Sequence, residues 1–312
     1  ISKSNVDFFN TQIINIEKIL WKLNKIEIFT DNLRKEEVIK FENKKKYLFS
    51  IVKNYELVEI LKKSLEKNKY FKLINFKNNF SHKNYDLVIN MDQNSYFTKK
   101  YFSKKIVKKY NSFAYTTIIQ HKKLINTTAI QVFTKIGPIA FLPISDKETS
   151  VVYSIHNSNK TRDNIKSLIE ENNFKFKIEK IQKIEKFELK SLILRSYYHE
   201  NILAFGDLLH RIHPLAGQGF NMTIRDIIIL TKIIQDKILL GLPLDKSINI
   251  EFEKKLRHKN LIFSNGIDLI YEVFNLERQA KRSIIGKSIQ FFGKNPLINK
   301  FFKEIADKGI TI

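Results

Sequence analysis

"GDLLHRIHPLAGQGFNMTIRD", residues 206–226, is the stretch that decides the fold of this 312-residue chain. The whole sequence contains nine glycines and five prolines, and three of those glycines and one of those prolines fall within this stretch. A short apolar run, "NILAF", precedes it, and a long apolar run with helical spacing follows it. A strand, an acid, a glycine loop and a helix in this order predict a ligand site at the carboxyl end of a sheet strand.

Each residue type in this stretch suits a different part of such a site. A carboxylate at the end of a buried strand, here Asp207, accepts hydrogen bonds from ligand hydroxyls. Pro214 stiffens the loop, while Gly217 and Gly219 allow positive φ angles and close approach of a ligand to the backbone. The N–H groups at the start of the following helix favour an electron-rich or anionic group. The alternative is an ordinary tight connection between a strand and a helix.

The charge of the chain has two interpretations. A net charge of +23 and a pI of about 9.8 fit attraction to nucleic acid or to an anionic membrane. However, lysine is spread along the whole sequence without an arginine-rich arm or zinc-finger spacing, so we expect a solvated surface and no nucleic-acid partner. In the densest basic segment, residues 98–109, a helix would place Lys100, Lys104 and Lys108 on one face. Such a face is usually solvated, and contact with a membrane surface is the alternative.

Composition excludes several other classes of protein. Cysteine is absent, so disulfides and thiol chemistry are excluded. The sequence has no apolar run of about 18 residues, the length that predicts a transmembrane helix. No cluster of His, Asp or Glu has metal-ligand spacing, so no metal site is predicted.

Hydrophobic periodicity predicts helices and strands in alternation. Helical spacing predicts helices over residues 10–23, 55–68 and about 20 residues after Gly219, with Gly241 as the stop of the last. A further helix follows Thr161, which is its predicted N-cap. Strands are predicted for "KIEIFT", "VIKFEN", "KKYLFSIVKN", "FKLINF", "YDLVIN", "FELKSLILRSYYHE" and "NILAFGD". Between Ser112 and about Ile155, four strand candidates joined by short turns predict an antiparallel sheet, so the fold class is α/β with a second sheet inserted.

Residues 206–226 closely resemble the second flavin-binding motif of the class A FAD-dependent aromatic monooxygenases, which have the p-hydroxybenzoate hydroxylase fold. That motif reads G-D-A-A-H, then P-x-x-G-Q-G, then N and D. The form "IHPLAGQGFN" is typical of the ubiquinone-biosynthesis hydroxylases among them. Leu208 and Leu209 replace the two alanines, and Arg211 stands where a small residue is usual.

The resemblance implies roles for individual residues. Asp207 would bind the ribityl chain of FAD, and the backbone of Pro214 would lie near the reactive edge of the isoalloxazine ring. The loop and the first helical turn would hold the pyrimidine end of the ring through Gly217, Gln218, Gly219 and Asn221. His210 and His213 would either transfer protons near the flavin or make structural hydrogen bonds to the loop, and we predict the structural role. No catalytic residue is assigned.

A second segment, "YDLVINMDQNSYFTKKYF", resembles the mid-chain motif of the same family, which is tied to the FAD pyrophosphate and to NAD(P)H. Asp92 and Ser95 match its Asp and Ser, whereas Gln93 stands where the family has glycine. Lys99 or Lys100 lies only loosely where the family has arginine. A weaker match at "SIVKNYELVEIL" implies that Asn54 lies near the adenine part of FAD. An acid at a surface strand end is the alternative for Asp92.

The resemblance also implies a domain organisation. We expect a Rossmann-like FAD-binding domain, truncated at its N-terminus, interleaved with an antiparallel-sheet substrate domain and ending in a helical C-terminus. The FAD-binding domain would comprise residues 1–24 in part, 49–110 and 201–312, and the substrate domain residues 25–48 and 111–200. No G-x-G-x-x-G motif occurs in the sequence. We therefore expect that about 50 residues, one βαβ unit with its ribose contact, precede Ile1, and that this chain alone binds FAD poorly.

The function that the resemblance implies is hydroxylation of an aromatic ring with O2 and NAD(P)H, on a polyprenylated phenol in ubiquinone biosynthesis. Two alternatives are a related flavoprotein with another aromatic substrate, and an inactive basic fragment that binds membrane or nucleic acid. The implied cofactor is FAD, with NAD(P)H as co-substrate. We expect a cytoplasmic location, with peripheral contact at the inner membrane face or with a ubiquinone-biosynthesis complex as an option.

Overall fold

The computed structural model describes residues 1–31, 37–43, 47–74, 81–156, 164–214, 217–280, 304–305 and 307–309. The chain forms the α-helices α1 (Lys3–Phe8), α2 (Asn54–Glu66), α3 (Tyr96–Tyr101), α4 (Ile165–Asn172), α5 (Gln218–Leu239) and α6 (Ser247–Ala280). The strands are β1 (Leu20–Leu23), β2 (Lys25–Thr30), β3 (Glu37–Glu42), β4 (Phe49–Val52), β5 (Val88–Asn90), β6 (Lys105–His121), β7 (Thr128–Thr134), β8 (Gly137–Pro143), β9 (Glu148–His156), β10 (Ile178–Ile181), β11 (Glu185–Leu194), β12 (Tyr198–His199), β13 (Ile202–Ala204) and β14 (His210–Arg211).

The chain forms two compact units, each assembled from separate segments. Unit 1 comprises Ile1–Val58, Lys109–Leu189 and Leu269–Asp307, and unit 2 comprises Glu59–Lys108, Lys190–Asp268 and Lys308–Ile312. Four elements, α2, β6, β11 and α6, run from one unit into the other. An interleaved α/β organisation was predicted from the sequence, and its domain boundaries stay a prediction.

Unit 1 is built on a large, mainly antiparallel sheet. Its strand order is β11-β6-β9-β8-β7-β2-β3, with β10 pairing beside β6, and the pair β2–β7 is parallel. The antiparallel sheet predicted between Ser112 and Ile155 is therefore confirmed. The buried core of this unit includes Ile119, Val132, Ile139, Phe141, Tyr153 and, from α4, Ile169. Because alternate residues of a strand point to opposite faces, this core uses only one face of the sheet.

Unit 2 contains a three-stranded sheet in the order β12-β13-β5. Strands β13 and β5 are parallel, with Ile202 opposite Val88 and Ala204 opposite Asn90. All three residues of β13 are fully buried, as the apolar run "NILAF" predicts. Helices α5 and α6 contribute to the same buried cluster through Leu230, Ile233, Ile248 and Phe252.

Several sequence-based predictions of helices and strands are wrong or incomplete. The single helix predicted over residues 10–23 does not form: Phe9–Ile13 is one turn of π-helix, Glu17–Ile19 is one turn of 3-10 helix, and Leu20–Leu23 is a strand. The last segment is extended because it pairs antiparallel with Phe49–Val52 and takes its hydrogen bonds from that strand. Residues 71–74 of the strand predicted as "FKLINF" are not extended in a sheet, and its last two residues lie outside the described part. Thr161, the predicted cap of α4, also lies outside it, and the cap of α4 is Asn164. Other predicted elements, including α2, α5 and β13, are confirmed.

The basic segment of residues 98–109 does not form one helix. Helix α3 ends at Tyr101, and strand β6 begins at Lys105. Consequently Lys100, Lys104 and Lys108 do not share a helical face. The reason is tertiary: the ladder that β6 forms along the sheet overrides the helical spacing of the lysines.

Candidate functional site

Two acidic segments meet at the carboxyl edge of the sheet in unit 2. Asp207 follows β13 in the single turn Gly206–Leu208, and Asp92 follows β5, the parallel neighbour of β13. The two segments touch, since Gln93 Nε2 donates a hydrogen bond to the backbone oxygen of Asp207 over 3.2 Å. The structure therefore brings together two motifs that lie more than a hundred residues apart in the sequence.

The carboxylate of Asp207 is open to a ligand. Its side chain is 76% exposed, and its ion-pair partner is Arg211, whose guanidinium lies 3.9 Å away. A pair at this distance and exposure is weak, so a ligand hydroxyl can compete for the carboxylate oxygens. Asp207 is thus placed as predicted, at the end of a buried strand with free acceptor capacity.

The Asp92 segment is held by its own hydrogen bonds. Asp92 Oδ1 accepts from the backbone N–H of Asn94 over 2.8 Å, and the Asp92 carbonyl accepts from the Thr98 hydroxyl over 2.6 Å. Ser95 caps α3 by accepting from the backbone N–H of Thr98. Thr98 also accepts from the buried Asn90 at the end of β5. This network fixes the turn that carries Gln93 to the backbone of Asp207.

The glycine loop turns the chain into α5. Gly217 stands immediately before the helix with φ 62° and ψ 29°, the left-handed region that favours glycine, and its N–H donates to the carbonyl of Pro214 over 3.3 Å. A Cβ built on Gly217 would meet no described atom within 4 Å. Pro214 is exposed, and residues 215 and 216 lie outside the described part. The backbone at Gly217 therefore offers open space rather than a packed contact.

The first turn of α5 carries buried polar side chains next to this opening. Gln218 is 5% exposed, and within the described residues its Oε1 atom has no hydrogen-bond partner. Asn221, one turn further, is 1% exposed. Gly219 packs against the side chain of Ile212, which a Cβ would meet at 3.9 Å. Buried polar atoms normally find a partner, so the Oε1 atom of Gln218 is able to accept a hydrogen bond from a ligand in the open space of the loop.

A buried pair that the sequence did not reveal ties the loop to the helix. His210 Nε2 lies 2.5 Å from Asp226 Oδ2, and both side chains are 1% exposed. His210 belongs to β14, which pairs with β11, whereas Asp226 lies in the third turn of α5. The pair thus closes the segment that contains the glycine loop. The signal in the sequence was the Asp that ends the motif, but its partner could not be read from spacing alone.

His213 is a neutral group inside the loop. Burial, assisted by the positive charge of Lys108, lowers its pKa from 6.5 to about 4. At neutral pH its imidazole therefore carries no charge. His210 makes a buried structural contact, and neither histidine is assigned a proton-transfer role.

Asn54 belongs to a different unit from the other predicted site residues. It is exposed at the first position of α2 and belongs to unit 1, while the remaining site residues belong to unit 2.

Among the described residues, no group of three His, Asp or Glu side chains could hold a metal ion. Within the same part of the chain, no helix is both long and apolar enough to cross a membrane.

Comparisons with known proteins agree with this geometry. Residues 98–238 match the family model "FAD binding domain", a range that includes Asp207, the glycine loop and α5. The chain has the FAD-dependent monooxygenase fold. Its structure resembles that of p-nitrophenol 4-monooxygenase from Pseudomonas putida with a TM-score of 0.72 at 12% identity, over 99% of this chain and 87% of that one.

Two curated relatives carry the same indication. The ubiquinone biosynthesis monooxygenase COQ6 of Danio rerio is 25% identical over 192 residues, which are 48% of this chain and 40% of that protein. The ubiquinone hydroxylase UbiL of Rhodospirillum rubrum is 23% identical over 180 residues, 53% of this chain and 41% of that protein. The matches thus span about two fifths of the length of these relatives. The resemblance drawn from residues 206–226 is confirmed.

The residues of the site fit FAD. A flat ring system needs close approach to backbone, which the open space at Gly217 allows. The free acceptor of Gln218 suits the N–H groups of a pyrimidine ring, and the exposed Asp207 carboxylate suits the hydroxyls of a ribityl chain. The open backbone, the amide oxygen and the carboxylate thus match the ring and the ribityl chain of the cofactor.

Proposed function

We propose that this protein is an FAD-dependent monooxygenase that hydroxylates an aromatic ring with O2 and NAD(P)H. The observation that carries the proposal is the juxtaposition of an accessible Asp207, an open glycine loop and the buried acceptor of Gln218 inside the segment that matches the FAD binding domain. FAD, when bound, supplies the redox chemistry and the activation of O2. The residues of the chain supply orientation, electrostatics and exclusion of water.

Each site residue has a proposed task. Asp207 accepts hydrogen bonds from the ribityl hydroxyls, and the backbone of Pro214 borders the reactive edge of the ring. The N–H groups at the start of α5 favour electron density at the pyrimidine end, because the helix dipole is positive there. The ring contacts that complete the cradle come from Gly217, Gln218, Gly219 and Asn221.

The outer parts of the cofactor are assigned to the two remaining predicted residues. Asp92 is proposed to act near the pyrophosphate, which is consistent with its place after the end of β5, where the next residue, Gln93, bonds to the backbone of Asp207. Asn54 is proposed to lie near the adenine. NAD(P)H is the proposed source of electrons. Gln93 stands where the family has glycine, so the turn that contains Asp92 and Gln93 is proposed to influence how the protein uses NAD(P)H.

The proposed substrate is a polyprenylated phenol of ubiquinone biosynthesis. Support comes from the names of the two relatives and from the sheet of unit 1. The face of that sheet opposite the α4 core is mixed, with half-buried Ala140 and Val152 in one row with Gln131 and Thr116. Apolar side chains beside a few polar ones are typical of pockets that bind small molecules. A cytoplasmic location, with peripheral contact at a membrane or with a biosynthetic complex, is part of the proposal.

Flavin binding is tested with the protein expressed from its complete reading frame. We expect Asp207→Ala to weaken FAD binding by about 10- to 100-fold, the effect of losing one or two hydrogen bonds to a charged group. The matched control is Asp236→Ala, which removes another exposed aspartate of the same unit. Fluorescence titration of FAD measures both. Equal affinities for Asp207→Ala and Asp236→Ala would contradict the assigned site.

Hydroxylation is tested by product analysis. Oxidation of NADH or NADPH should rise when a phenol is added, and mass spectrometry should find one atom of isotope-labelled O2 in the product. Phenol-dependent oxidation without label in the product would identify a flavoprotein of another reaction type. Salt-sensitive binding to nucleic acid without any flavin spectrum would instead support a basic binding protein.

A further inference from the structure

The connection between α5 and α6 exposes an unusual amount of apolar surface. Residues 238–246 are all exposed, and five of these nine are large aliphatic side chains. Their exposed fractions are 59% for Ile238, 83% for Leu239, 72% for Leu240, 47% for Leu242 and 36% for Leu244. We call residues 238–244 the leucine loop. A contiguous apolar surface of this kind on a folded unit marks a contact with something outside it.

Local structure holds the leucine loop outward. The N–H of Gly241 donates to the carbonyl of Ile238, and the N–H of Leu242 donates to the carbonyl of Lys237, which is the hydrogen-bond pattern of a Schellman motif. At the other end, Asp245 accepts from the backbone N–H of Ser247 over 2.9 Å and fixes the entry to α6. Both ends of the loop are thus specified, so the exposure of its leucines follows from defined backbone geometry.

The chemistry of the leucine loop favours a lipid surface over a protein partner. Its large side chains are all aliphatic, and it contains none of the Trp, Tyr or Arg residues that anchor most protein interfaces. Leucine and isoleucine enter the hydrocarbon of a bilayer favourably. Exposed side chains of both signs flank the loop, Lys232 and Asp236 before it and Asp245 and Lys246 after it. The attraction to anionic headgroups therefore comes from the net charge of +23 of the whole chain.

We propose that the leucine loop inserts into the surface of an anionic lipid bilayer and docks the protein there. The loop comprises the last two residues of α5 and the next five residues of the connection to α6, and it is short, so the contact is interfacial. Its purpose rests on the proposed function, since a polyprenylated phenol resides in the bilayer. The binding itself requires neither flavin nor substrate.

The first test is sedimentation with lipid vesicles. Vesicles of phosphatidylcholine with roughly one third phosphatidylglycerol should bind the protein, and pure phosphatidylcholine should bind it less. The variant Leu239→Ser/Leu240→Ser should bind at least about tenfold more weakly, since burial of each leucine is worth roughly that factor. The control Leu73→Ser/Ile125→Ser removes two side chains that are 81% and 90% exposed elsewhere. It should bind as the unchanged protein does.

Insertion is tested with a fluorophore, for which the chain is well suited because it has no cysteine. Leu240→Cys, labelled with an environment-sensitive dye, should show a blue shift and brighter emission on the anionic vesicles. Ile125→Cys, labelled in the same way, should show neither. Equal responses at both positions, or no response at Leu240→Cys, would overturn the proposal.

The remaining outcomes separate this inference from the proposed function and from other partners. The docking proposal is overturned if the control variant loses vesicle binding as much as Leu239→Ser/Leu240→Ser does, or if the unchanged protein binds no vesicles. The proposed function is a separate matter, since hydroxylation of a short soluble phenol would still support it in either case. A dimer that Leu239→Ser/Leu240→Ser converts to monomer, with vesicle binding unchanged, assigns the loop to a second copy of the chain and also overturns the proposal. Light scattering measures whether the protein is a monomer or a dimer.

Discussion

The buried pair between His210 and Asp226 makes a sharp prediction about stability. The two side chains are 1% exposed and lie 2.5 Å apart, so neither has access to bulk water. Replacing Asp226 by Leu, which has a similar shape, leaves the ring nitrogen of His210 buried without this acceptor. Breaking a buried pair from one side costs about 3 to 5 kcal/mol. We expect Asp226→Leu to lower the free energy of unfolding by that amount.

A double-mutant cycle measured by urea unfolding isolates the pair. His210→Phe removes the other partner while it keeps a ring in place, and it should cost a similar amount. Replacing both partners with apolar groups is less costly than the sum of the two single changes, because neither the ring nor the carboxylate then lacks its partner. Only the longer contact of 3.5 Å from Asn260 Nδ2 to Asp226 Oδ1 is lost without replacement. The double variant should therefore lie within about 2 kcal/mol of the unchanged protein. The reasoning is refuted if each single variant loses less than about 1 kcal/mol of unfolding free energy and the double variant loses the sum of the two.

An exposed ion pair of α6 provides the control. Lys255 and Glu251 lie 2.7 Å apart with side chains 45% and 38% exposed. Since exposed pairs contribute little, Glu251→Gln should change stability by less than about 1 kcal/mol. The His210–Asp226 pair also brackets the glycine loop, so Asp226→Leu should weaken FAD binding, whereas Glu251→Gln should not. If a destabilised Asp226→Leu protein keeps its FAD affinity, the His210–Asp226 pair does not determine the geometry of the glycine loop.

Three further predictions concern the loop and the sheet. Gly217→Ala should cost about 1 kcal/mol, because an L-residue is strained at φ 62°, and should also weaken FAD binding in a titration, since the new methyl group enters the open space. Gly137→Ala should cost at least about 3 kcal/mol in urea unfolding, because its Cβ would stand 1.9 Å from the backbone oxygen of Ser154. With a folded pKa of about 4 for His213 and 6.5 when unfolded, only the unfolded chain takes up the proton between these values. Stability should therefore fall by about 3 kcal/mol as pH drops through this window, and His213→Leu should flatten that slope.

The part of the fold that could be predicted from the sequence is the part specified locally. Gly217 begins α5 because its left-handed backbone and the N–H groups of the first turn belong to one short segment. Gly241 ends the same helix in a motif whose two hydrogen bonds, from Gly241 and Leu242, reach back three and five residues. Asp207 follows a run of buried apolar residues, so its place at a strand end needs no distant partner. Local chemistry of this kind can be read from residue types and spacing.

The errors arose where a distant segment decides the structure. Residues 10–23 satisfy helical spacing, yet strand β1 forms within them because β4, some thirty residues later, offers a hydrogen-bond ladder. Asp226 could be identified as part of a motif, but its buried partner His210 lies on a strand whose position depends on β11. Pairings of this sort are fixed by sheet register, which a single sequence does not encode in its periodicity.

The leucine loop shows a different limit of sequence reasoning. Along α5, Asp226, Leu230, Ile233 and Lys237 form the buried stripe, and the next position at helical spacing is Leu240. Periodicity would therefore bury Leu240 with the others, yet it is 72% exposed. An apolar stripe identifies which side of a helix avoids water, but it does not say whether the chain itself covers that side. At Leu240 the stripe continues beyond the core that the described residues form, and the labelled Leu240→Cys variant measures whether a bilayer covers it.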